Sequence, residues 1–146
     1  MAVRGTSPYP FRMRYQRAES PLKLDGLDAA RDFFAGCFAD CESHRESLWV
    51  AHVDSEARCV HLTRHEGDEY GANFPLRSII ADAAAHGSVG ILLAHNHPSG
   101  DGTPSKTDLR ATRRLASAAE ALGCRIIDHL IYANTNVTSL RALGLL

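Results

Sequence analysis

A chain of 146 residues with 45% apolar residues, 23% charged residues and a formal net charge of −1 has the size and makeup of one packed domain. This balance excludes wholesale disorder and gives no bulk attraction toward nucleic acid or anionic lipid. The apolar runs fall far short of the ~20 residues of a membrane span, residues 1–10 lack the apolar stretch of a secretory signal, and the four cysteines form no CxxC pair, so a cytoplasmic protein with reduced thiols is expected.

Residues 1–24 carry Arg4, Arg12, Arg14, Arg17 and Lys23 against Glu19 alone, and Pro8, Pro10 and Pro21 oppose helix. They are expected to form an extended basic arm, either solvated or touching phosphates. The domain proper is expected over residues 25–146. Asp25 can cap a first helix over residues 25–42, with Leu27, Ala30, Phe34, Cys37, Phe38 and Cys41 on one face. Cys37 and Cys41 are a helical turn apart and could bind metal, but neighbouring Phe33, Phe34 and Phe38 favour a buried apolar face.

Residues 47–53 (SLWVAHV) read as a strand, 54–57 as a turn, and 58–65 as the return strand of a hairpin. A polar loop over residues 66–74 follows. Pro75 opens a second helix in which Leu76, Ile79, Ile80, Ala83 and Ala84 recur at helical spacing, and Gly87 can end it. Residues 89–94 (VGILLA) are a continuous apolar run, the pattern of a central strand buried on both faces. A third helix is expected over residues 105–122, with Leu109, Leu115, Ala116, Ala119 and Leu122 inward and Arg110, Arg113, Arg114 and Glu120 outward. Residues 124–132 (CRIIDHLIY) form another strand, and 134–146 hold a turn, a short strand and a terminal helical turn. Strands alternate with helices after the hairpin, so one sheet with helices on both faces is expected. Active groups in such sheets gather where central strands end.

The chemistry concentrates after residues 89–94. In extended backbone, residues i and i+2 point the same way about 6.6 Å apart, so His95 and His97 can converge on one ion. Zinc in hydrolytic sites takes three protein ligands and leaves one position for water. Asp108, in the first turn of the third helix, qualifies as the third. Such a set leaves the ion positive enough to acidify a water. Glu46 stands just before the first strand, where it can take that water's proton if the strand borders residues 89–94. Ser105 offers a hydroxyl for a developing oxyanion. Blander uses exist for each. Ser105 and Asp108 also form a capping box, histidines at a loop edge are commonly hydrogen-bonded surface residues, and Glu46 alone is an ordinary solvated acid. The joint spacing favours the metal centre. Manganese or iron also suits two histidines and one carboxylate.

The segments His95-Asn96-His97-Pro98-Ser99-Gly100 and Pro104-Ser105-Lys106-Thr107-Asp108 resemble the JAMM (MPN+) metalloprotease motif in its RadC-like form. Arg45-Glu46, Phe74-Pro75-Leu76-Arg77 and Asp128-His129-Leu130-Ile131 resemble further RadC-like landmarks, and the resemblance covers residues 26–146. Leu76-Arg77-Ser78 departs from the Arg-Glu that follows the proline in RadC-like proteins. The resemblance implies an α/β fold: a three-layer α/β/α sandwich with a mixed sheet, the JAB1/MPN architecture related to cytidine deaminases. It implies zinc on His95, His97 and Asp108, Glu46 as general acid/base and Ser105 as the oxyanion-stabilising serine. Relatives in other branches cleave isopeptide bonds to ubiquitin-like modifiers, and the RadC-like branch carries a DNA-repair label. RadC-like proteins also carry an N-terminal helix-hairpin-helix segment; about 25 residues precede the domain here, a departure that weakens the expectation of DNA binding.

A zinc-dependent hydrolase of peptide or isopeptide bonds is therefore the leading expectation, and a nucleic-acid-associated repair protein the alternative. The letters HNH at 95–97 do not signify an HNH nuclease, whose residues are dispersed through a ββα unit. Deaminase chemistry lacks its H-x-E and P-C-x-x-C signature, and a non-catalytic scaffold would not need a full ligand set. His129 could be a fourth ligand, but a hydrogen bond behind the ligands or a structural role is favoured. His44, His52, His61, His65 and His86 show no partner spacing. No membrane partner is expected, and a homodimer is among the open oligomeric states.

Overall fold

The structure, a computed structural model, describes residues 22–40, 44–66 and 74–146. Most of the expected basic arm, Cys41 and most of the loop at 66–74 lie outside the described residues. The elements in chain order are α1 (Leu27–Ala39), β1 (Ser47–Val53), β2 (Cys59–Glu66), α2 (Leu76–Ala85), β3 (Gly90–Asn96), α3 (Lys106–Glu120), β4 (Arg125–Ala133) and β5 (Asn136–Ser139).

The strands form one mixed sheet in the order β2-β1-β3-β4-β5. Central β3 pairs antiparallel with β1 and parallel with β4. Alternate residues of β1 and β3 feed two cores. Trp49, Ala51, Leu92 and Ala94 pack with Ala30, Phe34 and Cys37 of α1. Leu48, Val50, Ile91 and Leu93 pack on the other face with Ile79 and Ala83 of α2 and Leu115 and Ala119 of α3. The molecule is thus the expected three-layer α/β/α sandwich, because a sheet apolar on both faces needs cover on both.

Several details differ from the sequence expectation. The first helix begins after Gly26, not at Asp25: Gly26 has φ of 100°, a left-handed conformation that glycine adopts without steric cost. Residues 22–24 do not belong to a free arm, since Lys23 bridges Arg58 and Leu24 is buried. The inward stripe of α3 is Asp108, Ala111, Thr112, Leu115 and Ala119, whereas Leu122 is 45% exposed beyond the helix end. Strand β3 runs two residues further than its apolar run and carries His95 within the sheet. Cys37, Cys59 and Cys124 are buried thiols. Among the described residues no helix is long and apolar enough to cross a membrane.

Candidate metal centre

His95 is buried at the C-terminal end of β3, opposite Leu48 in the register with β1. Its backbone alternation puts it on the α2/α3 face with Leu93. His97 follows the strand, and its N–H donates to the carbonyl of Tyr132 at 2.8 Å, which carries the β3–β4 pairing one step further. The loop then turns on itself: Gly100 N donates to the His97 carbonyl at 3.0 Å, Asp101 N to Ser99 Oγ at 3.2 Å and Thr103 N to Asp101 Oδ1 at 3.0 Å. These turns bring the start of α3 back to the strand end.

Ser105 is the N-cap of α3. Its Oγ accepts from Asp108 N at 2.9 Å, and Asp108 Oδ2 accepts from Ser105 N at 3.0 Å, completing a capping box. Asp108, which is only 6% exposed, makes these capping contacts and also approaches both histidines. Oδ2 lies 3.2 Å from His97 Nε2, Oδ1 lies 3.5 Å from His95 Nε2, and the two Nε2 atoms are 2.9 Å apart. Burial pushes the Asp108 carboxyl up, but the His95 imidazole and the Ser105 amide and hydroxyl pull it further the other way, so it stays anionic well below the usual range. Burial lowers His95, more than neighbouring Asp108 raises it.

These atoms fit a divalent ion. His95, His97 and Asp108 each offer a ligand atom, all within 4.8 Å of one another. The edges of a zinc tetrahedron with bonds near 2.0–2.1 Å are about 3.3 Å, close to the 2.9, 3.2 and 3.5 Å found. His97 Nδ1 lies 2.7 Å from the Asp101 carbonyl. A carbonyl only accepts, so His97 carries its hydrogen on Nδ1 and a lone pair on Nε2. That lone pair, a carboxylate and a second imidazole converge as a donor set that could hold a cation.

Glu46 is half-buried in the residue before β1. Asn96, at the end of β3, brackets it: Asn96 Oδ1 accepts from Ser47 N at 2.8 Å and Nδ2 donates to the Arg45 carbonyl at 2.9 Å. Strand β1, which Glu46 precedes, therefore borders β3, with Glu46 at the end of the sheet where His95 and His97 lie. Asn96 was not singled out in the sequence; alternation puts it on the face opposite the two histidines, and its amide reaches the backbone on both sides of Glu46.

Sequence reasoning also missed a second histidine group. His52 is fully buried, with Nδ1 3.0 Å from Ser88 Oγ and its ring 5.5 Å from that of His61. His61 stacks on His86 at 3.9 Å and lies 3.5 Å from Asp82. Burial, and then His61, His86 and His65, push His52 down to about 3. His129 and Thr112, both buried, complete the surroundings of His95. Asp128 faces away from the centre and accepts from Ser139 Oγ, His129 N and Arg141 N, which ties β4 to the chain's last turn.

The sequence matches the RadC-like JAB domain family over residues 24–145. A UPF0758 protein of Pelobacter propionicus is 33% identical over 145 residues, covering 99% of this chain and 62% of that protein. One from Flavobacterium johnsoniae is 31% identical over 128 residues, covering 86% of this chain and 56% of that protein. Another from Methanospirillum hungatei is 47% identical over 70 residues, covering 48% and 31%. The chain spans about half the length of the curated relatives it matches.

Proposed function

From the premise that this chain belongs to the RadC-like JAB domain family, we propose that it is a zinc-dependent hydrolase of amide bonds, of the peptidase or isopeptidase type. The observation that carries this reading is the convergence of His95, His97 and Asp108 within 4.8 Å at the end of a central strand. An ion held by these three residues supplies Lewis acidity, which polarises a carbonyl and acidifies water. Glu46 takes the proton of the attacking water and passes it to the leaving amine. Ser105 already gives one lone pair to Asp108 N; its O–H is left to donate to the carbonyl oxygen as negative charge develops there. Asn96 holds the backbone on both sides of Glu46 and so keeps the base level with the ligands.

The test is Glu46→Gln, assayed on a panel of peptide- and isopeptide-linked substrates together with metal analysis. Gln keeps the size and loses the basicity, so stoichiometric zinc with hydrolysis reduced at least about a hundredfold is expected. Hydrolysis at the wild-type rate removes Glu46 from the role of base.

A second reading, association with nucleic acid, draws support from the outer face of α3, where exposed Lys106, Arg110, Arg113 and Arg114 line a shallow groove. Phosphate binding of this kind weakens steeply with added salt. Lack of DNA retention at low ionic strength removes it.

A further inference from the structure

His129 lies on β4 at a register position fixed by a shift in the β3–β4 pairing. Ile91 pairs with Ile126, but Leu92 pairs with Asp128, so one residue is extra on β4. A one-residue shift exchanges the two faces of a strand. Without it, Asp128 would stand on the His95 side; with it, His129 does. His129 is 3% exposed, and its two ring nitrogens are both engaged: Nε2 with His95 Nδ1 at 2.7 Å, and Nδ1 with Thr112 Oγ1 at 2.7 Å. Thr112 Oγ1 is in turn 2.8 Å from the Asp108 backbone carbonyl, to which it donates.

The direction of this chain follows from proton counting. A hydroxyl has one hydrogen, and a carbonyl can only accept. With the Thr112 hydrogen given to Asp108, its oxygen must receive a hydrogen from His129 Nδ1. A neutral imidazole has one ring hydrogen, so His129 Nε2 is then an acceptor, and His95 Nδ1 donates to it. His95 is left with a bare lone pair on Nε2, the atom 2.9 Å from His97 Nε2. In the opposite direction a hydrogen would sit on His95 Nε2, in the space where the ligand atoms converge.

We propose that His129 and Thr112 are positioning residues, a directional hydrogen-bond relay that selects the His95 tautomer able to ligate a metal through Nε2. This rests on the metal reading of the site given above. Ligating histidines ordinarily donate their second nitrogen to a carboxylate, carbonyl or water; here a buried imidazole takes that part, and Thr112 returns the relay to the backbone of Asp108, itself a ligand candidate. Relay and ligand set therefore form one closed ring of contacts through β3, β4 and α3.

The test uses zinc alone as probe. In zinc-loaded protein labelled with nitrogen-15 in histidine, two-bond proton–nitrogen spectra report which ring nitrogen bears the hydrogen, and His129 is expected as the Nδ1–H form. His129→Leu is expected to weaken zinc affinity about 10- to 100-fold in chelator competition. His129→Gln, whose amide can accept from His95 and donate to Thr112, is expected to recover most of it. Thr112→Val, the conservative change that leaves β4 untouched, is expected to weaken affinity several-fold, with unchanged circular dichroism as the check on folding. Stoichiometric zinc in the wild type with His129 protonated on Nε2, or with His129→Leu and Thr112→Val binding as tightly as wild type, overturns the relay alone. A wild type that takes up no zinc overturns the metal reading and the relay with it.

Discussion

Replacing Asp108 by Asn separates the two duties carried by its carboxylate. Asn keeps the shape, and its side-chain oxygen can still accept from Ser105 N, the contact made at 3.0 Å by Oδ2. What disappears is the negative charge at the N-terminus of α3 and the anionic oxygen 3.2 Å from His97 Nε2. Loss of a charge at a helix N-terminus costs about 0.3–1 kcal/mol, and a fully lost cap about 0.5–2 kcal/mol. Metal-free Asp108→Asn should therefore be less stable by about 1 kcal/mol, or about 3 °C in Tm for a domain of this size. Zinc at about 100 times its Kd stabilises the wild type by about 2.7 kcal/mol, or about 8 °C. If losing the anionic ligand weakens binding about a hundredfold, the same zinc adds only about 0.4 kcal/mol to the variant. Calorimetric scans with and without zinc measure both quantities. A variant that retains the wild-type zinc shift would refute the membership of Asp108 in the ligand set, whatever its metal-free stability.

Ser105→Ala removes the N-cap acceptor for Asp108 N and should cost about 1 kcal/mol in urea unfolding, with Ser105→Thr largely retaining stability; equal loss in both would point away from capping. Asn96→Ala leaves Ser47 N and the Arg45 carbonyl without their side-chain partner, and is expected to slow hydrolysis while zinc stoichiometry stays at the wild-type value. His52, held at about 3 by burial and then by its histidine neighbours, binds fewer protons folded than unfolded between its folded value and about 6.5. Its contribution is thus fully present above the unfolded value and is lost as pH falls below it. Going from about pH 7 to about pH 5 should remove about 2 kcal/mol through His52 alone. His61 and His65, lowered chiefly by burial against the opposing pull of Asp82, act with the same sign. A His52→Gln variant whose unfolding free energy falls as steeply over that range as wild type would rule this out.

The layers and the convergence of the two histidines were legible because both are local. A continuous apolar run marks a central strand, and two histidines at spacing two share a face of any extended segment. Asp108 was legible because helix α3 begins where a capping signal says it should. The rest depends on distances that no local pattern encodes. Asp128 and His129 are adjacent, and only the register shift beside Ile91 and Leu92 decides which of them meets His95. His52, His61 and His86 come from β1, β2 and the end of α2, and each looks like a lone histidine until strand pairing sets His52 against His61 and α2 packs over them. Helical spacing puts Leu122 on the inward face only while the helix continues, and it ends at Glu120.

The mixed pairing of β3 explains why the residues of the centre are so scattered in the chain. Its parallel neighbour β4 brings another C-terminal end to the site, which keeps His97 bonded to Tyr132. Its antiparallel neighbour β1 brings an N-terminal end instead, so Glu46, which precedes β1, lies at the His95 end of the sheet. Asp54 and Glu56, which follow β1, turn at the far end of the sheet, where Asp54 caps the hairpin through the backbone amides of Glu56 and Arg58. His52 belongs to that far end as well, against Ile91 near the start of β3. Acid should therefore act through two separable routes: protonation around His52 lowers stability from the hairpin end, while at the other end protons compete with a metal for its ligands. Zinc should raise the unfolding midpoint at every pH at which it binds without altering the slope contributed by His52. A difference in slope between wild type and His52→Gln that changes with zinc would mean that the two ends of the sheet are coupled through β1 and β3.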